Sequence, residues 1–316
     1  MHTKRSTKLA QAFWAAAFSL TMAFSAPVEA ASKRPEHGES TPKAFMVMDP
    51  YTQTVYSHNS PEKIWITASL NKAMTLHLLF EHMRENGENM DATLVISDKA
   101  VRYLKGYSAS LLHANAGDVL TYDQAARAII AKSAGDVSYA IAEHVSGSHD
   151  AFVKRMNETA KSWGMHKTIF ADASGFAKRP SRYKPRAYST STACDMAIMM
   201  TRIMGSHPSL YSHYFSATDY EHNGKTHHGN GLFTEFYDHA EGQKTGYLNA
   251  SRNNLIATAR MGEWQLIGVS LGTYWRRDSF VHMADHFNAA FNDLKNDAAP
   301  SATHRKFYET CPSPNA

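Results

Sequence analysis

The chain has 316 residues, 43% hydrophobic and 11% aromatic, enough apolar surface for a sizeable core and too much for wholesale disorder. Its 33 basic and 29 acidic residues leave a formal charge of +4 with no basic run in the body, so a nucleic-acid partner is not expected. The two cysteines, Cys194 and Cys311, exclude a disulfide-rich scaffold and a cysteine-built zinc site.

Residues 1–30 read as an export signal. Lys4, Arg5 and Lys8 lead the apolar run LAQAFWAAAFSLTMAF, and Val28-Glu29-Ala30 has the small–x–small form that signal peptidase accepts. The run is short for a bilayer span, which needs roughly 20 residues, and no later segment is apolar for long enough. The mature chain is therefore expected to be exported, periplasmic or secreted, and soluble. Such a compartment permits a Cys194–Cys311 disulfide without demanding one. Residues 31–42, polar and carrying Pro35 and Gly38, are expected to be a mobile leader.

The body, residues 43–295, opens with the run AFMVM at 44–48, suited to a buried strand, and Thr54-Val55-Tyr56 returns as the second strand of a hairpin. From Ser69 the pattern turns helical, with Met74, Leu78, Leu79 and Met83 at helical spacing and Gly87 as a stop. Residues 122–132, 136–145 and 150–163 share that period, and a further helix at 192–204 is entered through a Ser/Thr-rich stretch. Strands come back as NLIATA (254–259) and QLIGVSL (265–271) around Met261-Gly262-Glu263, followed by an amphipathic helix over 279–294. Residues 296–316, rich in Pro, Ala, Ser and Thr, are expected to be a loose tail. Strands at both ends of a helical middle predict an α+β fold, one antiparallel sheet of roughly five strands flanked by helices, beside a helical lobe.

Two short motifs carry chemistry. Ser69-Leu70-Asn71-Lys72 is an S-x-x-K, and three residues apart on a helix share a face, so Lys72 stands beside the Ser69 hydroxyl. A serine hydroxyl needs a base to become a nucleophile, and a lysine serves only when neutral, a state that burial and a second nearby cation favour. The chain has three other S-x-x-K strings, at Ser40, Ser60 and Ser181, but only Ser69 opens a long apolar helix, whose N-terminal N–H groups suit an oxyanion. Lys244-Thr245-Gly246 is the sole K-T-G. It offers a second cation, a hydroxyl for a carboxylate, and a glycine that lets the backbone approach a ligand.

The two motifs in this order resemble the signature of penicillin-binding proteins and serine β-lactamases. With the stretches FMVMDPYTQTVY, AIIAKSAGDVSYAIAEHVSG and EGQKTGYLNASRNNLIATA, the chain is similar to the low-molecular-weight penicillin-binding proteins, the serine D-alanyl-D-alanine carboxypeptidases, over about residues 44–291. The middle S-x-N of that family departs here to Ser133-Ala134-Gly135, so Ser133 stands in as the proton-shuttling serine while glycine replaces the asparagine; a water or Asn71 is the substitute for its amide.

The resemblance implies a DD-peptidase/serine β-lactamase-like fold. Ser69 would be the nucleophile and Lys72 the base, helped by Lys244 and Ser133. The N–H groups of Ser69 and Tyr247 would form the oxyanion hole, and Thr245 with Arg276 or Arg277 would hold the substrate carboxylate. It implies peptidoglycan stem peptides and β-lactams as partners and neither metal nor organic cofactor. The paired His227-His228, in a Gly/Asn-rich loop, is not read as a metal site. A DD-endopeptidase, a β-lactamase and a catalytically weak cell-wall binding homologue are the alternatives.

Overall fold

The computed structural model of the chain describes residues 36–104, 109–176, 187–229, 231–296 and 304–312. Its centre is a six-stranded antiparallel sheet whose strand order is Arg305–Lys306, Thr54–Asn59, Ala44–Met48, Trp264–Thr273, Arg252–Met261 and Ala240–Leu248. The two termini thus build one sheet, as the distribution of strand-like runs predicts. The Arg252–Met261 and Trp264–Thr273 hairpin turns at Gly262, whose φ is +62°.

Both faces of this sheet are covered, which is why its central strands read as continuous apolar runs rather than as alternating ones. Every residue of Ala44–Met48 is buried. Ala44, Met46 and Met48 face the helical lobe together with Ile256, Ile267, Val269 and Leu271. Phe45 and Val47, with Leu255, Ala257 and Leu266, face the C-terminal helix Arg276–Lys295 through Phe280, Met283, Phe287 and Phe291. Gly268 allows the close fit of that helix, because a Cβ there would lie 2.1 Å from the Met283 sulfur.

The lobe packs helices Lys72–Glu85, Gly135–Ser146, His149–Ser162 and Ala193–Ser206 around Phe80, Tyr122 and Phe152. Their starts follow from capping chemistry: the Ser148 and Thr192 hydroxyls accept from the N–H groups of Ala151 and Asp195. Among the described residues no helix is long and apolar enough to cross a membrane.

Several expectations are corrected. The sheet has a sixth strand because the tail is not loose over residues 304–312: Arg305–Lys306 pairs with Thr54–Asn59, the Phe307 N–H donates to the Gln53 carbonyl, and Cys311 is disulfide-bonded to Cys194. The leader is tied down at residues 38–40, where the N–H groups of Gly38 and Ser40 and the Ser40 hydroxyl all donate to the Asp278 carboxylate. The expected signal peptide (1–30), residues 31–35 of the expected leader, residues 297–303 and 313–316 of the tail, and Ser181 lie outside the described residues. Unforeseen by the sequence reading are the hairpin Asp219–His222 and Lys225–His228, which replaces an expected loop, and the short helix Pro208–Tyr214.

Candidate active site

Ser69 does not begin the α-helix; it sits in a 3-10 turn, Ala68–Asn71, that leads into Lys72–Glu85. With three residues per turn, positions i and i+3 eclipse, which aligns Ser69 with Lys72. The Lys72 ammonium nitrogen is 2.9 Å from the Ser69 Oγ and 2.5 Å from the Ser174 carbonyl oxygen. Lys72 is buried while Ser69 is only half-buried, so the hydroxyl is the accessible end of the pair. Ala68 takes the left-handed region at φ 50°, and Gly175 lies so close above it that a Cβ there would meet the Ala68 carbonyl oxygen at 1.8 Å. Only glycine tolerates that approach, and the turn is held by contacts rather than by local preference.

Ser133 is brought in by a second irregular turn. The Tyr122–Arg127 helix widens into a π-turn over Ala128–Lys132, and Ser133 follows it at φ 59° and ψ 40°. An extra residue per turn followed by a left-handed one re-aims the chain, a device common at functional sites. The Ser133 Oγ lies 3.1 Å from the Lys244 ammonium nitrogen.

The K-T-G motif lies on Ala240–Leu248, the last strand of the sheet. On this strand the Gln243 N–H points outward to the Phe215 carbonyl, so by the two-residue period the N–H groups of Thr245 and Tyr247 leave the same open edge. Gly246 abuts the turn that carries Ser69: a Cβ there would lie 2.8 Å from the Thr67 oxygen and 3.1 Å from the Ser69 nitrogen. This glycine therefore serves the approach of the strand to Ser69, not the approach of a ligand. Thr245 is half-buried beside it.

Burial controls the charges. It brings Lys72 down from 10.5 to about 8, against the opposing pull of the Asp172 and Asp136 carboxylates. Lys244, equally buried, is lowered well below the ordinary value by desolvation and by the Lys72 charge. Asp172 is raised by burial, opposed by hydrogen bonds from Ser174 and by Lys72. Asp136 pins the loop beside Ser133 by accepting from the N–H groups of Leu112 and His113.

Sequence reasoning missed the wall formed by Asp172, Ser174 and Gly175. Ser174 acts through its backbone oxygen, which leaves no side-chain pattern to find; the Asp-x-Ser-Gly turn was the only trace.

Asn71 does not replace the missing asparagine. Its amide nitrogen is committed to the Asp172 carbonyl and the Ser189 hydroxyl, and its oxygen accepts from Thr67. The space beside Gly135 is filled too, since a Cβ there would meet Leu104 Cδ1 at 2.5 Å and the Ser110 oxygen at 3.3 Å.

Of the two arginines, Arg276 packs its guanidinium on Gly231, in the loop whose Phe233 N–H bonds Gln243 on the K-T-G strand. Arg277 instead lines a groove with His37, Gly38 and His282. His227 stacks on Tyr220, and the two ring nitrogens of His228 face the carboxylates of Asp219 and Glu235.

Comparison with known proteins identifies the family. The family model described as D-alanyl-D-alanine carboxypeptidase, peptidase S11, matches residues 29–274. The chain is 27% identical over 281 residues to D-alanyl-D-alanine carboxypeptidase DacF of Bacillus subtilis, covering 87% of this chain and 69% of that one. It is 26% identical over 263 residues to the DacD enzyme of Salmonella typhimurium, covering 82% of this chain and 65% of that one. The fold matches penicillin-binding protein D2 of Listeria monocytogenes, solved in its cefotaxime-bound form, with a TM-score of 0.69 and 23% identity over 79% of this chain and 97% of that one. The chain belongs to the S11 peptidase family, the D-alanyl-D-alanine carboxypeptidases.

Proposed function

We propose that this chain is an exported serine D-alanyl-D-alanine carboxypeptidase that trims peptidoglycan stem peptides and is acylated by β-lactams at Ser69. The observation that carries the reading is a half-buried hydroxyl 2.9 Å from a buried lysine whose proton is held weakly, at about 8. Neutral Lys72 takes the Ser69 proton as Oγ attacks the carbonyl of the penultimate D-alanine. The N–H groups of Ser69 and Tyr247 receive the developing oxyanion. Collapse of the tetrahedral adduct breaks the peptide C–N bond, and the leaving nitrogen takes a proton relayed through Ser133 from the lysine pair. Water then attacks the acyl-enzyme, giving up a proton to Lys72, and the shortened peptide leaves as Ser69 is restored.

Thr245 and Arg276 hold the terminal carboxylate. Arg276 is preferred to Arg277 because its guanidinium packs against the loop that bonds the K-T-G strand. A guanidinium fork also suits a carboxylate.

The test is D-alanine release from a D-Ala-D-Ala pentapeptide by purified protein lacking residues 1–30, with Ser69→Ala as control. Release that depends on Ser69 supports the reading; no release sinks it. Gly135 favours a second reading, a homologue that binds the cell wall with weak turnover. Serine-dependent labelling by a fluorescent penicillin without D-alanine release would select it.

A further inference from the structure

Away from the catalytic cleft, His77, Glu81 and His207 direct one potential ligand atom each into a common space, all within 4.8 Å of one another. His77 and Glu81 are four residues apart on Lys72–Glu85 and so share one face. His207 closes the Ala193–Ser206 helix. Both histidines are buried, and Trp163 and Phe80 pack against their rings.

The His207 Nε2 lies 3.1 Å from the His77 Nδ1 and 3.0 Å from the Glu81 Oε1. Tetrahedral zinc with bonds of about 2.0–2.1 Å sets its ligand atoms about 3.3 Å apart, close to both of these edges. The second carboxylate oxygen of Glu81 is held by Arg84, which fixes the orientation of the first.

Proton counting sharpens the case. A ring nitrogen carries either a proton or a lone pair. If His207 Nε2 carries the proton, two acceptors must share it. If it carries the lone pair, it confronts the lone pairs of the Glu81 carboxylate. Hydrogen bonding alone leaves one of these close contacts poorly satisfied, whereas a divalent cation accepts all three pairs at once. Two imidazoles and one carboxylate are a zinc donor set.

We propose that His77, Glu81 and His207 bind a zinc ion, completed by water, that clamps the helix carrying Lys72 to the end of the Ala193–Ser206 helix. The role is structural. His77 lies about 7–8 Å along the helix axis from Lys72, at 1.5 Å per residue, and does not touch Ser69. The proposal stands whatever substrate the cleft accepts.

The experiment uses the purified chain stripped with a chelator and then titrated with ZnCl2 against a chromophoric competitor. Thermal melts with and without zinc run in parallel. One tight equivalent of zinc, a raised melting temperature, and cobalt absorption typical of a four-coordinate site support the clamp. His207→Gln should abolish tight binding, and Glu81→Gln should weaken it about tenfold or more. Glu81 is half-buried, so its variant keeps the test decisive if His207→Gln fails to fold. His228→Gln should bind zinc like the parent. The proposal is overturned by an absence of stoichiometric zinc, by a melting temperature indifferent to zinc, or by tight binding that survives both ligand variants, which would mark adventitious surface histidines.

Discussion

Lys72 is 2% exposed, and in that setting the ammonium loses the hydration that holds its proton in water. With its value lowered to about 8, the neutral base accumulates as pH rises. The acylation rate of Ser69 should therefore climb with pH through a midpoint near 8, and fall tenfold per unit well below it, in stopped-flow labelling with a chromogenic β-lactam. A midpoint near the ordinary lysine value of 10.5 would remove Lys72 as the base. Gly246 has a different signature. A methyl group there intrudes on the Ser69 nitrogen, so Gly246→Ala should lower acylation by about 10²–10³, the range for losing an oxyanion donor. Because the added methyl meets backbone atoms, the melting temperature should fall as well; an unaffected rate would show that the strand has room to move.

At this scale the sequence was readable where chemistry is local. The adjacency of Ser69 and Lys72 follows from their spacing of three. Asn71 misled for the same reason, because a position two along from Ser69 turns to another face and is consumed there by Asp172 and Ser189.

Elements were legible where a single period dominates. AFMVM, NLIATA and QLIGVSL are apolar runs because both faces of the sheet are covered. The π-turn before Ser133 has no comparable signal, since what it satisfies is a tertiary contact with Lys244. The tail was misread because Pro, Ser and Thr suggest looseness, while its order comes from one covalent bond and a short pairing with Thr54–Asn59. Cys194 and Cys311 are 117 residues apart, and closing so long a loop removes roughly 4–5 kcal/mol of chain entropy from the unfolded state. Cys311→Ser should accordingly lower the melting temperature by roughly 10 °C. Penicillin labelling at 25 °C should persist, because neither cysteine belongs to the cleft. A melting temperature unchanged by the substitution would show that the tail adds no stability.

On the scale of the whole molecule, the cleft joins the start of one helix, a turn in the lobe and the far edge of a sheet built from both chain ends. None of these pieces holds its geometry alone, since Ala68 and Ser133 are kept in left-handed conformations by their surroundings. Ser69 labelling and near-UV circular dichroism should thus disappear in one coincident urea transition. Labelling lost well before the dichroism would reveal a cleft that opens independently of the core. The disulfide has a last practical consequence. A protease cut anywhere between Cys194 and Cys311 severs the backbone but not the molecule, because it opens a covalent ring that includes the K-T-G strand and leaves the two fragments joined by the disulfide. Nicked protein should migrate as a single band in a denaturing gel run without thiol and split in two once thiol is added.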